Sequence, residues 1–292
     1  GALSPSEFSM WPARGVTRLP CLIPSSHTMS TQVDLGTVFK GSSSGKIVQA
    51  KGETVELKPD QVVIDIAYSG LCGSDLHFRK KGDMVLGHEG VGIISQVGKD
   101  VDFLKVGDRV GWGCNHNACN YCKQCWNGVD TLCPHRAMYA MADSEFGSFG
   151  DRAVLSGYFV HKIPDDLPLK YAGPLQCGGA TVYGAIVKAG VRPMERVGVL
   201  GLGGLGHLAV QYLNKMGCEV VVFSHSNSKK EEAKKLGAHE FVAVKENPEM
   251  KGVKPINHLL VSTSQQPDWT QFFKVMAARA SIVPLSVSME AM

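Results

Sequence analysis

The chain has 292 residues, long enough for two domains, and its 44% hydrophobic and 20% charged content excludes a chain disordered throughout. No run approaches the ~18 consecutive apolar residues of a membrane span, so the sequence predicts no membrane association. Thirty Lys and Arg against 27 Asp and Glu leave a formal net charge of +3, mixed along the chain, with no basic patch to hold nucleic acid.

Residues 1–30 carry Pro5, Pro12, Pro20 and Pro24, many serines and no hydrophobic period, and they read as a disordered extension. Met29-Ser30 resembles a natural start, which makes the preceding stretch a remnant. Arg14 and Arg18, with Glu7 as the lone acid, give organellar targeting as the second reading. From residue 31 to 178 the pattern is short strands and glycine turns. Gln61–Ala67 alternates apolar and polar residues, and Gly90–Val97 and Val106–Trp112 are similar, so this part is predicted to be a β-rich domain. From 179 to 292 the signal changes to strands alternating with helices. Arg196–Leu200, Glu219–Phe223, Phe241–Val244, His258–Ser262 and Ser281–Val287 are the predicted strands. Leu205, Leu208, Ala209, Tyr212, Leu213 and Met216 stand at helical spacing, and Ser228 with Glu231 reads as a capping box for a helix that stops at Gly237. That alternation predicts an α/β domain with a doubly wound parallel sheet.

Nine cysteines are present, and seven lie between Cys72 and Cys177. Clustering inside a long chain favours metal binding in a reducing compartment, and so a cytoplasmic protein, over a disulfide framework. Cys119, Cys122, Cys125 and Cys133 follow a C-x2-C-x2-C-x7-C spacing. Four thiolates suit a closed tetrahedral zinc site. A ferredoxin-type iron–sulfur run ends C-x3-C-P, so the last gap argues against a cluster. Cys114, just before the set, reads as a buried thiol outside it. Cys72, His88 and Cys177 supply the residue types of a second, open zinc set, each of them weak when taken singly. Gly201, Gly203 and Gly206 form G-x-G-x-x-G between a strand and a helix, the setting of a dinucleotide fingerprint, and Gly204 and Leu205 complete the turn. An NAD site would place an acid at the end of the next strand. Here Ser224-His225-Ser226-Asn227-Ser228-Lys229 stands instead, and hydroxyls with lysine suit a 2′-phosphate, hence NADP(H).

The motifs CGSDLH at Cys72–His77, GHEG at Gly87–Gly90, KVGDRVG at Lys105–Gly111, LQCGGAT at Leu175–Thr181 and GLGGLGH at Gly201–His207 occur in one order around the four-cysteine lobe. In this the chain resembles the zinc-dependent medium-chain alcohol dehydrogenases, most closely their cinnamyl-alcohol-dehydrogenase-like branch. The resemblance implies a GroES-like catalytic domain over 31–178 and a Rossmann NADP-binding domain over 179–292. It implies two zinc ions per chain, the catalytic one on Cys72, His88 and Cys177. It also implies Ser74 and His77 as a proton relay, Asp75 as the acid that fixes a ligand, Glu89 as an acid able to visit the metal, and Thr181 as a nicotinamide contact. Ser224, Ser226 and Lys229 are the expected 2′-phosphate contacts. The implied reaction interconverts primary alcohols and aldehydes with NADP(H), the substrate being a small molecule. Relatives continue past the equivalent of Met292 and form homodimers. The resemblance therefore implies a C-terminally truncated fold, less stable, weakly active or inactive, with its dimer in doubt. The alternative is a non-enzymatic zinc- and nucleotide-binding relative that acts through partners.

Overall fold

The computed structural model describes residues 31–141 and 144–285. The readings made for residues 1–30, and the last two residues of the strand expected at Ser281–Val287, lie outside the described residues.

The first half is built on a five-stranded antiparallel sheet. Its strands are β1 (Gln61–Ser69), β2 (Gly90–Val97), β3 (Arg109–Trp112), β4 (Arg152–Ser156) and β5 (His161–Lys162), in the spatial order β4-β1-β2-β3-β5. The third strand starts at Arg109 rather than Val106, because Gly107 turns with φ +91°. Val62, Ile64, Ile94, Val110, Trp112, Ala153 and Leu155 form the buried core on this sheet. Gly90 pairs with Trp112 across β2 and β3, and a Cβ at Gly90 would run into the Trp112 indole. The glycine is what lets the largest core side chain lie flat beneath the strand that follows Glu89. A short helix, α1 (Gly73–Phe78), follows β1.

Helix α2 (Gly178–Lys188) opens immediately after Cys177 and leads into a parallel sheet. Its strands are β6 (Arg196–Leu200), β7 (Glu219–Ser224), β8 (Glu240–Ala243), β9 (Ile256–Val261) and β10 (Met276–Pro284), in the order β8-β7-β6-β9-β10. Helix α3 (Gly204–Lys215) joins β6 to β7, and α4 (Lys230–Leu236) joins β7 to β8. Successive residues of a strand face opposite ways, and here both ways are buried. Val197, Val199, Val220 and Val222 pack with Val182, Ile186 and Leu213, while Val221, Phe223, Leu259 and Val261 pack with Phe272 and Val275. This explains why these strands read as continuous apolar runs rather than alternating ones. The last strand begins at Met276, five residues ahead of the expected start. Its first half, Ala277-Ala278-Arg279-Ala280, is made of small residues and an arginine and carries no apolar run to mark it.

The capping box expected at Ser228–Glu231 does not form. Residues Asn227–Lys229 make a 3-10 turn, Lys229 stands at the N-cap with no side-chain cap bond, and the Ser228 hydroxyl meets Ser226 Oγ at 3.1 Å. The helix does end at Gly237, in left-handed backbone with φ +106°. Among the described residues no helix is long and apolar enough to cross a membrane.

Candidate functional site

The four cysteines of the lobe converge. Their sulfurs all lie within 4.8 Å of one another, with Cys122–Cys125 and Cys119–Cys133 at 3.6 Å and Cys119–Cys125 at 4.0 Å. Thiolates ~2.3 Å from a tetrahedral ion stand ~3.8 Å apart, so these separations fit one zinc ion. Asn120, at φ +62°, turns the chain between the first two cysteines, and a four-residue helix over Lys123–Trp126 brings Cys125 back beside Cys122. The backbone N–H of Cys119 donates to Cys133 Sγ at 3.5 Å and that of His135 at 3.3 Å. The Cys119 bond foremost draws the Cys133 thiol down to about 6, against the effect of burial.

The second set is assembled from three distant segments. Cys72 stands at the N-terminus of α1, His88 and Glu89 precede β2, and Cys177 precedes α2, with their ligand atoms within 4.8 Å of one another. His88 is fully buried. Its Nδ1 meets Asp75 Oδ1 at 2.9 Å, while its Nε2 is buried with no hydrogen-bond partner. A buried imidazole nitrogen aimed at two thiols and left without a partner is what a metal ligand looks like without its ion. With no ion at Nε2, burial opposes charge on His88 but the Asp75 bond outweighs it and raises its pKa; a bound metal would take the place of that proton. Asp75 is buried too. Desolvation works against its charge, yet the His88 bond keeps its carboxyl below the ordinary carboxylate value. Glu89 is pushed up to about 7, first by burial and then by the neighbouring Cys72. Gly70 makes room for it, since a Cβ there would collide with the Glu89 carboxylate.

Cys114, read from the sequence as a buried thiol outside the four-cysteine set, is half-buried on the wall of a cavity that Cys177 also lines. Gly113 brings it there, because the bare backbone sits against the Gln176 carbonyl that precedes Cys177. Hydrogen bonding to Cys177 pushes Cys72 up to about 11 and draws Cys114 down to about 6. Trp112 and Tyr139 are, by residue type alone, equally compatible with pocket lining and with core packing. Trp112 is core. Tyr139 is buried beside the set, with its hydroxyl on Asp75 and its pKa raised above the ordinary range by burial foremost.

A cavity of about 600 Å³ opens beside Cys177 and is lined by Cys114, Tyr158, Gln176, Ala180 and Thr181, among others. Ser74 lies 3.7 Å from Cys72 Sγ, and His77, three residues later on α1, is exposed. A second cavity, of about 530 Å³, opens at the fingerprint turn and is lined by Gly201, Leu202, Gly203, Ser224, His225, Lys229 and the loop after β9. Lys229 Nζ donates to the Leu202 carbonyl at 2.7 Å, so it is anchored across the cavity mouth. Ser226 is instead engaged with Ser228. Gly204 and Leu205 form the first turn of α3. His225 and the Ser262–Gln266 loop were missed, since nothing in their local sequence marks them. Only the fold of the parallel sheet brings the loop after β9 opposite the end of β7. At the turn itself, Gly201 has φ +90°, and a Cβ at Gly206 would overlap the Gly201 carbonyl. Gly206→Val is therefore expected to force helix and strand apart and cost about 1–3 kcal/mol, measured as a lower melting temperature.

The comparisons with known proteins agree with this architecture. The family model described as the alcohol dehydrogenase GroES-like domain matches residues 58–165, and that of the zinc-binding dehydrogenases matches residues 204–291. An aldehyde reductase from Synechocystis sp. is 34% identical over 260 residues, covering 85% of this chain and 75% of that protein. An 8-hydroxygeraniol dehydrogenase from Catharanthus roseus is 39% identical over 203 residues, covering 65% of this chain and 56% of that protein. Among solved structures, a cinnamyl alcohol dehydrogenase from Sorghum bicolor aligns with a TM-score of 0.77 at 29% identity, over 87% of this chain and 78% of that one. A CAD from Helicobacter pylori, solved in complex with NADP(H), aligns with a TM-score of 0.76 at 27% identity, over 89% of this chain and 77% of that one. The chain spans about three fifths of the length of several of the curated relatives it matches. With a GroES-like half, a dinucleotide-binding half and a relative 34% identical over three quarters of its length, the chain belongs to the zinc-dependent alcohol dehydrogenase family.

Proposed function

We propose that this chain carries the site of a zinc-dependent oxidoreductase that interconverts primary alcohols and aldehydes with NADP(H). The observation that carries the reading is the buried, partnerless Nε2 of His88, facing Cys72 and Cys177 at the edge of a cavity also lined by Thr181. Cys72, His88 and Cys177 would hold the reactive zinc, and Cys119, Cys122, Cys125 and Cys133 the structural one. When bound, the first ion supplies Lewis acidity to the substrate oxygen and the nicotinamide carries the hydride.

The protein's own groups do the rest. Ser74 takes or returns the substrate proton, and His77, one turn further along α1, passes it to solvent. Asp75 holds the His88 ring in one tautomer. Glu89 lies within reach of the same point as the three ligands and is the group able to enter during exchange. Thr181, in the first turn of α2, faces the nicotinamide end, and Gly201, Gly203 and Gly206 let the pyrophosphate approach the N-terminus of α3. Division of labour at residue 178 follows, with the metal groups before it and the nucleotide groups after it. The reading extends to a cytoplasmic protein. The reducing compartment is supported by the free thiols of all eight described cysteines.

The test is metal content followed by NADPH oxidation with a panel of aliphatic, cinnamyl and benzylic aldehydes. Two ions and turnover support the reading, whereas a folded protein binding zinc and nucleotide without turnover favours the non-enzymatic alternative. The cofactor preference has its own test. Ser224 lines the nucleotide cavity where an acid would bind ribose hydroxyls. Ser224→Asp is expected to weaken NADPH at least about tenfold, by ~1.4 kcal/mol, and to strengthen NADH. Equal binding of both cofactors by the unaltered protein would remove the basis of the preference.

A further inference from the structure

Tyr139 lies 51 residues beyond His88, belongs to none of the sequence motifs, and yet touches both the acid that supports the open ligand set and the His88 ring. It is 5% exposed. Its hydroxyl donates to Asp75 Oδ1 at 3.1 Å and accepts the backbone N–H of Gly87 at 2.8 Å. Its ring lies 5.0 Å from that of His88 at an interplanar angle of 32°, and Phe78 meets it edge-on at 5.6 Å. The carboxylate it holds is already doubly committed. Asp75 Oδ1 faces His88 Nδ1 at 2.9 Å, and Asp75 Oδ2 accepts the backbone N–H of Cys72 at 3.0 Å. One buried carboxylate thus fixes two members of the open set, and one phenol fixes that carboxylate.

The consequence is geometric. Asp75 Oδ1 is shared between the imidazole N–H and the phenol O–H, and donation from Tyr139 pins that oxygen in place. The carboxylate so fixed holds the His88 ring in one orientation, with Nδ1 toward Asp75 and Nε2 toward Cys72 and Cys177. The Gly87 N–H, one residue before His88, leaves the phenol oxygen committed and its hydrogen aimed at Asp75. We propose that Tyr139 is a positioning residue, whose hydroxyl holds Asp75 and through it sets the orientation of His88 toward the metal of the open set. This rests on the reading of Cys72, His88 and Cys177 as metal ligands.

The experiment is substitution of both metal sites with Co2+, read by visible absorption and by the rate of release to a chelator. Wild-type protein comes first. Failure to take a second equivalent of Co2+ beyond the four-cysteine lobe rejects the ligand reading itself. Given two equivalents, Tyr139→Phe keeps the ring stack and removes only the hydroxyl. Release from the open set is then expected to quicken about tenfold, with its ligand-field bands displaced, while the lobe's spectrum and release rate stay as in wild type. Asp75→Asn should displace the bands further in the same set. An unchanged open-set spectrum and release rate in Tyr139→Phe overturns the proposal. If that variant loses both metals on unfolding, the protein with 3-fluorotyrosine at position 139 replaces it. Its more acidic phenol donates more strongly to Asp75, so open-set release should slow, and no change there overturns the proposal equally.

Discussion

Cys122→Ser should release one of two metal ions and lower the stability of the whole chain by more than ~3 kcal/mol, because structural zinc contributes its binding energy to folding. The lobe has little else to hold it. Tyr121, Trp126 and Leu132 are exposed, and of the four cysteines only Cys133 is buried. Removing one sulfur leaves three thiolates that repel one another once the ion is gone. Acid should do the same to the unaltered protein. The ligands bind as thiolates, so protons compete with the metal and affinity falls as pH falls. Metal analysis and thermal melts with and without a chelator check both statements. Cys218→Ser is the control. That thiol is buried against the parallel sheet, donating to the Arg192 carbonyl at 3.4 Å, and its loss should leave metal content untouched.

Cys177→Ser should have the opposite profile, with the fold retained and turnover lost by ~10³-fold or more, the several kcal/mol that a correctly held Lewis acid supplies. Cys177 caps α2 through no side-chain bond, so a serine there costs the helix nothing. It leaves His88 Nε2 and Cys72 as an incomplete pair, and metal content should fall from two ions to one. Cys114 makes the outcome informative. Its thiol reaches Cys177 and His88, so any metal retained by Cys177→Ser but lost in Cys114→Ser/Cys177→Ser would identify it as the stand-in ligand. Retention of full turnover by Cys177→Ser would remove this residue from the reactive site.

The two substitutions divide along the line that separates what was readable in the chain from what was not. The lobe was readable because its four sulfurs lie within 15 residues, and a C-x2-C turn converges whatever surrounds it. The fingerprint was readable for a similar reason. A glycine that must turn at φ +90°, and another that must lie against a carbonyl, are requirements of a few consecutive residues. Parallel strands with both faces buried announce themselves as apolar runs flanked by helical spacing.

The open set stands on different ground. Cys72, His88 and Cys177 span more than 100 residues, and each alone is indistinguishable from a core thiol or a structural imidazole. Resemblance picked them out together. That their ligand atoms lie within 4.8 Å, and that one nitrogen is buried without a partner, was decided by how β1, β2 and α2 pack. Cys114 is half-buried rather than buried and lines the same cavity as Cys177, because Gly113 lies bare against Gln176, a contact with no local signature. The capping box failed because a 3-10 turn and a Ser226–Ser228 bond took the hydroxyl that should have capped α4, a competition between two local options that spacing does not rank. Tyr139 is the clearest case. Its hydroxyl joins Gly87 and Asp75 across 64 residues, and a hydrogen bond between distant segments leaves no periodicity behind. Sequence alone determined the closed metal lobe, the nucleotide turn and the alternation of strands and helices, since each is set by neighbours along the chain. Tertiary packing decided which side chains surround the open set, because burial and distance between remote residues exist only once the sheets have formed.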